Sequence, residues 1–144
     1  MAEVINQTPL RFPHLPRFHV TAFAVAWVAG ASTRTRIPVY YAREPGRLVG
    51  AAFTNSATLA AHGTDFRQFY IERARRGVYS TVMASRTTEV QGMVANVPFE
   101  LDPAAGDADL RIEEGDVLVL TIGGGGALPA IDAGLFDCYV EKEN

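Results

Sequence analysis

The sequence predicts an all-β fold: an antiparallel β-sandwich, a jelly roll or a close relative of one, behind an extended N-terminal arm. Three observations carry this. Short runs of β-branched and aromatic residues recur along the chain, divided by turn chemistry. No stretch holds a helical period over the length of an ordinary helix. The first 17 residues are punctuated by Pro9, Pro13 and Pro16, which remove backbone donors and steer their predecessors away from helix.

Taken in order, residues 1–17 form the arm and residues 18–144 the sandwich domain. The arm carries Val4, Ile5, Leu10, Phe12 and Leu15, more apolar side chains than a solvated linker needs, so it is expected to lie against a surface. Residues 18–28 alternate, with Thr21, Phe23, Val25 and Trp27 on one face. Residues 35–42 are short, β-branched and aromatic. The Arg43-Glu44-Pro45-Gly46 turn follows, then a weaker strand over 47–59, interrupted near Asn55 and Ser56. Residues 65–74 fit either a helical face or a strand. Their aromatic content and their neighbours favour a strand, with Phe66, Gln68, Tyr70 and Glu72 opposite Phe69 and Ile71. Arg75-Arg76-Gly77 reads as a turn into a strand over 78–84. A further strand is expected over 93–101, with Pro98 marking an edge or bulge, and a loop over 102–109. Glu113-Glu114-Gly115-Asp116 reads as a turn into a buried strand over 117–122, broken by the four glycines 123–126. A last strand covers 134–141.

A chain of 144 residues is the size of one domain and buries roughly 70% of its unfolded surface, so it needs no metal or disulfide to hold together. Its lone cysteine, Cys138, excludes an internal disulfide and reads as a small buried hydrophobe. The formal charge is −3, with no run of like charge long enough for a nucleic-acid tail. The bases are almost all arginine: Lys142 is the one lysine. The N-terminus lacks a basic region followed by an apolar stretch, so no secretory signal is expected, and the sequon at Asn6-Gln7-Thr8 has no evident route to glycosylation. The longest apolar run, 22–30, is about half of a membrane span.

Chemistry-bearing patterns are sparse. His14, His19 and His62 are the only imidazoles, and none stands at metal-ligand spacing from another. The four glycines follow a strand, yet Ala127-Leu128-Pro129 replaces the Gly-Lys-Ser/Thr of a phosphate loop. Glu113, Glu114 and Asp116 surround a glycine without the calcium-loop pattern, which points to a solvated turn. Arg73, Arg75 and Arg76 beside Phe69 and Tyr70 resemble a single-strand stacking patch. The negative net charge favours a solvated turn or salt bridges to a protein partner instead. The expectation is therefore no enzyme, no cofactor, no metal, no nucleic acid and no membrane.

The layout resembles a known family. A Pro-punctuated arm precedes a body with Thr35-Arg-Ile-Pro-Val-Tyr-Tyr-Ala42, then Glu114-Gly-Asp-Val-Leu-Val-Leu120, a glycine run and a short terminal strand. This is similar to the small capsid decoration, or cement, proteins of tailed bacteriophages. The arginine-rich, lysine-poor content suits a phage of a GC-rich host such as Thermus. The resemblance implies a jelly roll that forms a homotrimer, made in the host cytoplasm and placed on the outer capsid surface of the virion. The implied partner is the major capsid protein, and no catalytic residues carry over. In that setting Val4, Ile5, Leu10, Phe12 and Leu15 would supply the arm's partner contacts. An alternative is a receptor- or carbohydrate-binding module using loops at His62 or 123–126. A third is a cupin-like enzyme, which the shortage of histidines disfavours.

Overall fold

The computed structural model describes residues 17–24, by their backbone course, and residues 35–126 and 134–142 in full. The described residues form strands β1 (Arg17–Ala24), β2 (Thr35–Tyr41), β3 (Gly46–Thr54), β4 (Phe66–Arg75), β5 (Val78–Thr87), β6 (Phe99–Glu100) and β7 (Asp102–Pro103). A single helical turn, α1 (Asp107–Leu110), precedes β8 (Arg111–Ile112), β9 (Val117–Gly125) and β10 (Gly134–Lys142). The first sheet has the order β1-β10-β3-β6, with β8 also on β3. The second has the order β2-β9-β4-β5-β7.

The pairings are nested. β4 pairs with β5, β3 with β6 and β8, β2 with β9, and β1 with β10, all antiparallel. This is one long hairpin folded over itself. Rolling it adds the contacts β10·β3 and β9·β4 and gives the two packed layers of a jelly roll, five strands in each. The all-β sandwich expected from the strand spacing is thus the observed fold.

The sheets meet through aromatic packing. Phe53 of β3 stacks on Phe69 of β4 with centroids 4.8 Å apart, and Phe99 of β6 meets Phe69 edge-on at 6.1 Å. Ile71, Leu118, Leu120, Ile122 and Phe136 fill the space around them, fully buried. Each buried side chain of this size stabilises the fold by about 1.5–3 kcal/mol. Cys138, in β10, joins the same core. On β4 the expected alternation holds, with Phe69 and Ile71 inward.

Turns carry the predicted chemistry. Arg76 and Gly77 both have positive φ, 53° and 80°, and close the β4–β5 hairpin in two residues, the backbone that matches strand twist. Gly115, with φ 92°, takes the third position of the 113–116 turn. β5 shifts register twice against β4 within four residues, which twists its open edge away from a second strand.

Three expectations need correction. Residues 93–101 are mostly loop: Met93 makes one bridge to Leu59, Asn96 has φ 61°, and only Phe99–Glu100 pairs as strand. Positive φ at Asn96 and the missing donor of Pro98 stop a ladder from running through. The loop expected over 102–109 contains β7 and most of α1, which Arg47 anchors through a hydrogen bond to Asp107. The glycines do not break β9. Gly123, Gly124 and Gly125 pair with Gln68, Arg67 and Phe66, and the Phe66 ring covers the place where a side chain on Gly125 would sit.

Candidate functional surface

The outer face of the second sheet is where polar and aromatic side chains converge. The register sets three rows across it. Arg36, Thr121 and Tyr70 form one. Pro38, Val119, Glu72 and Val82 form the next, and Tyr41, Val117, Ala74 and Tyr79 the third. Arg36 starts on the edge strand β2 and reaches across β9. Its Nε donates to Glu72 Oε1 at 3.1 Å, and its guanidinium lies 4.1 Å from the centre of the Tyr79 ring. Thr121 Oγ1 donates to the same Glu72 oxygen at 2.6 Å. Beneath this arginine, Val119 and Thr121 are buried although they face away from the core.

Around that covered centre the face is open and apolar. Tyr41 is 55% exposed, with Tyr79 and Val82 also exposed. Arg43 stands 5.7 Å from the Tyr41 ring. Arginine stacked on tyrosine is the composition of protein contact surfaces, where large rigid rings and forked donors carry most of the binding energy.

A second apolar surface lies at the other end of the sandwich. β5 begins at Val78 beside the tyrosines and ends at Thr87, and the loop that follows exposes Val90 (89%), Val94 and Val97. This loop is held rigidly from below. Met93 and Leu59 exchange backbone hydrogen bonds at 2.8 and 2.9 Å, and Asn96 N donates to Asn55 O at 2.8 Å. A side chain on Gly92 would stand 2.3 Å from Leu59 O, so the two loops touch backbone to backbone.

The arginine and carboxylate clusters are internal braces. Arg75 makes a two-pronged bond to Asp116, 2.8 Å on each arm, and an ion pair to Glu113 at 3.0 Å. Burial alone would raise the Asp116 carboxyl. The Arg75 bonds, the Glu113 N–H and the charges of Arg75 and Arg73 hold it below the ordinary aspartate range. Glu113, Glu114 and Gly115 of the turn are exposed as expected, while Asp116 is 1% exposed. Backbone bonds between this turn and Ala42, both 2.8 Å, fasten it to the β2–β3 corner. Arg73 donates to Arg111 O at 2.6 Å and Thr81 Oγ1 at 2.8 Å. The sequence left Arg73 and Arg75 either to solvent or to a foreign protein. They serve this chain's own carboxylate, carbonyl and hydroxyl groups.

Arg67 was missed altogether. It shares the inward face of β4 with Phe69 and Ile71 and is fully buried, which pushes its guanidinium pKa down to about 10. An arginine in a period-two pattern normally marks the solvent side, so no sequence signal could have found it.

Nor do the proposed loop sites come together. His62 Nδ1 accepts from Thr64 N at 3.2 Å and Asp65 N at 2.9 Å and so closes its own turn. Cys138 is buried as expected, and burial, with the Asp137 charge, pushes its thiol up to about 12. Among the described residues no three His, Cys, Asp or Glu side chains gather as a metal would need. Val4, Ile5, Leu10, Phe12 and Leu15, with His14 and Trp27, lie outside the described residues, and His19 is described only by its backbone.

The chain matches no family model, no curated protein and no solved structure. The surface must therefore be judged on its own chemistry. It offers two apolar contact areas at opposite ends of one stiff body, one of them built from tyrosine and arginine.

Proposed function

We propose that the chain is a capsid decoration protein. It acts as a homotrimer on the outer surface of an assembled phage head and stabilises the shell by bridging subunits of the major capsid protein. One observation supports this above the others: the tyrosine face and the valine loop are separate apolar surfaces at opposite ends of the sandwich. A protein that bridges needs two adhesive areas on a body that cannot fold them together. The jelly roll supplies that body, and Val4, Ile5, Leu10, Phe12 and Leu15 on the arm add a third.

The mechanism is mass action. A protein that binds only the assembled shell stabilises it by the free energy of binding. A trimer presents each patch three times, so individually weak contacts act at high effective concentration.

The test is to weigh the purified protein in solution, then mix it with empty expanded shells and separate bound from free. A trimer that binds shells saturably and raises their melting temperature is the expected result. Binding to glycans with no binding to shells would reject the reading in favour of a receptor- or carbohydrate-binding module.

A further inference from the structure

We infer that His62 is a pH-sensitive latch: its protonation opens the turn 62–65 and loosens the root of the valine loop that this turn holds. The inference goes beyond the decoration reading and does not rest on it.

The latch follows from which atoms can donate. His62 Nδ1 lies 2.9 Å from the backbone N of Asp65 and 3.2 Å from that of Thr64, and the Thr64 hydroxyl is also 3.2 Å away. A backbone N–H can only donate, so Nδ1 is the acceptor and the ring proton sits on Nε2. The turn therefore needs a neutral imidazole. An imidazolium carries protons on both nitrogens and has no acceptor to offer. Histidine is the side chain that changes charge between about pH 5 and about pH 8, so the loss falls in an accessible range.

A second state stands beside the first. Asp65 Oδ2 is 3.9 Å from Nδ1, too far for a hydrogen bond. Once protonated, Nδ1 repels the two N–H groups and turns to this carboxylate as a donor. One nitrogen thus accepts from the turn in one charge state and donates to Asp65 in the other. The His62 side chain is 55% exposed, so water can deliver the proton without unfolding.

The charges around the turn are few. The end of β9 brings glycine: Thr64 O and Asp65 Oδ1 occupy the place of a side chain on Gly126. β4 follows the turn, and its buried Arg67, with a pKa of about 10, stays a cation throughout. The loop after β5 brings the exposed Glu89. Of these charges, Asp65 stands within ion-pair distance of the ring.

The turn bears on the valine loop through the backbone. His62 N donates to Thr88 O at 3.2 Å, just before Val90. Thr88 is fully buried and is also bonded to β4: its N donates to Arg67 O, and its Oγ1 accepts from Arg67 N, both at 2.9 Å. Residues 59–62 therefore floor the loop from Thr88 to Met93, with His62 at one end and Leu59 at the other. Opening the turn frees the His62 end. The valine loop is held firmly at neutral pH and loosely in acid.

The test is a series of amide and ring spectra of the isotope-labelled full chain from about pH 8 to about pH 5. The His62 ring signal is assigned by its absence in His62→Asn. As the ring takes up its proton, the amide signals of Thr64 and Asp65 should shift along the same curve, and those of Glu89 and Val90 should follow. In His62→Asn an amide oxygen takes over as acceptor with no charge state to change, so the same four signals should stay fixed. Asp65→Asn should move the midpoint to lower pH, because the imidazolium loses its carboxylate. Static Thr64 and Asp65 amides while the ring titrates overturn the inference. So does a transition that survives in His62→Asn, or one that stops at Asp65 without reaching Glu89.

Discussion

Arg36 and Glu72 meet at 3.1 Å across an intervening strand, so the edge strand β2 is tied to β4 over the top of β9. The bond organises the outer face of the second sheet, because Glu72 also accepts from the buried Thr121 hydroxyl. Removing the two partners should have unequal effects. Glu72→Ala strips an acceptor from both Thr121 and Arg36 and should cost about 2–3 kcal/mol in urea unfolding, the upper range for an orphaned buried group. Arg36→Ala leaves Glu72 with Thr121 and should cost about 1 kcal/mol. Equal losses would mean that the threonine bond contributes nothing.

Asp116 should set part of the acid limit of stability. Its carboxyl titrates lower in the folded chain than in the unfolded one, so the folded state binds fewer protons. The contribution is fully present above the unfolded value of about pH 4 and is lost as pH falls through the folded value. Denaturation midpoints measured from pH 7 to pH 3 should therefore fall more steeply for the native sequence than for Asp116→Asn. Asp116→Ala at neutral pH should cost about 3 kcal/mol, since it abandons Arg75 and the Glu113 N–H together.

Cys138 should be silent to thiol reagents in the folded state. It is buried and its thiol pKa is pushed up to about 12, so at pH 8 almost no thiolate is present or accessible. Reaction with an aromatic disulfide should follow global unfolding. Fast labelling in water would show that β10 detaches locally.

Much of the sandwich was legible because its core strands obey period two. Phe69 and Ile71 alternate with Tyr70 and Glu72 on β4, and Phe136, Cys138 and Val140 alternate on β10. What failed were places where partner geometry overrides composition. The glycines read as a break, yet a glycine keeps its N–H and C=O, and β4 engages both. The candidate face was hidden for a related reason. Arg36 and Glu72 lie 36 residues apart, and their meeting depends on which strands flank β9, which no local pattern records.

The valine loop offers the cleanest separation of stability from function. Val90 and Val94 are exposed and support no core packing, so Val90→Asp with Val94→Asp should leave the melting temperature within about 2 °C. On the decoration reading, shell affinity should fall by about tenfold or more. An unchanged affinity would move the capsid contact elsewhere on the body.

The nested pairing of strands also governs when the molecule can form during synthesis. β10 lies between β1 and β3, so β1 stays without a strand neighbour in its sheet until β10 has emerged from the ribosome. Closure of the first sheet therefore joins strands of high sequence separation, and such topologies assemble slowly. Until then the apolar inner sides of β3 and β9 stand unshielded. Rapid synthesis would therefore place many half-built sheets beside one another at once.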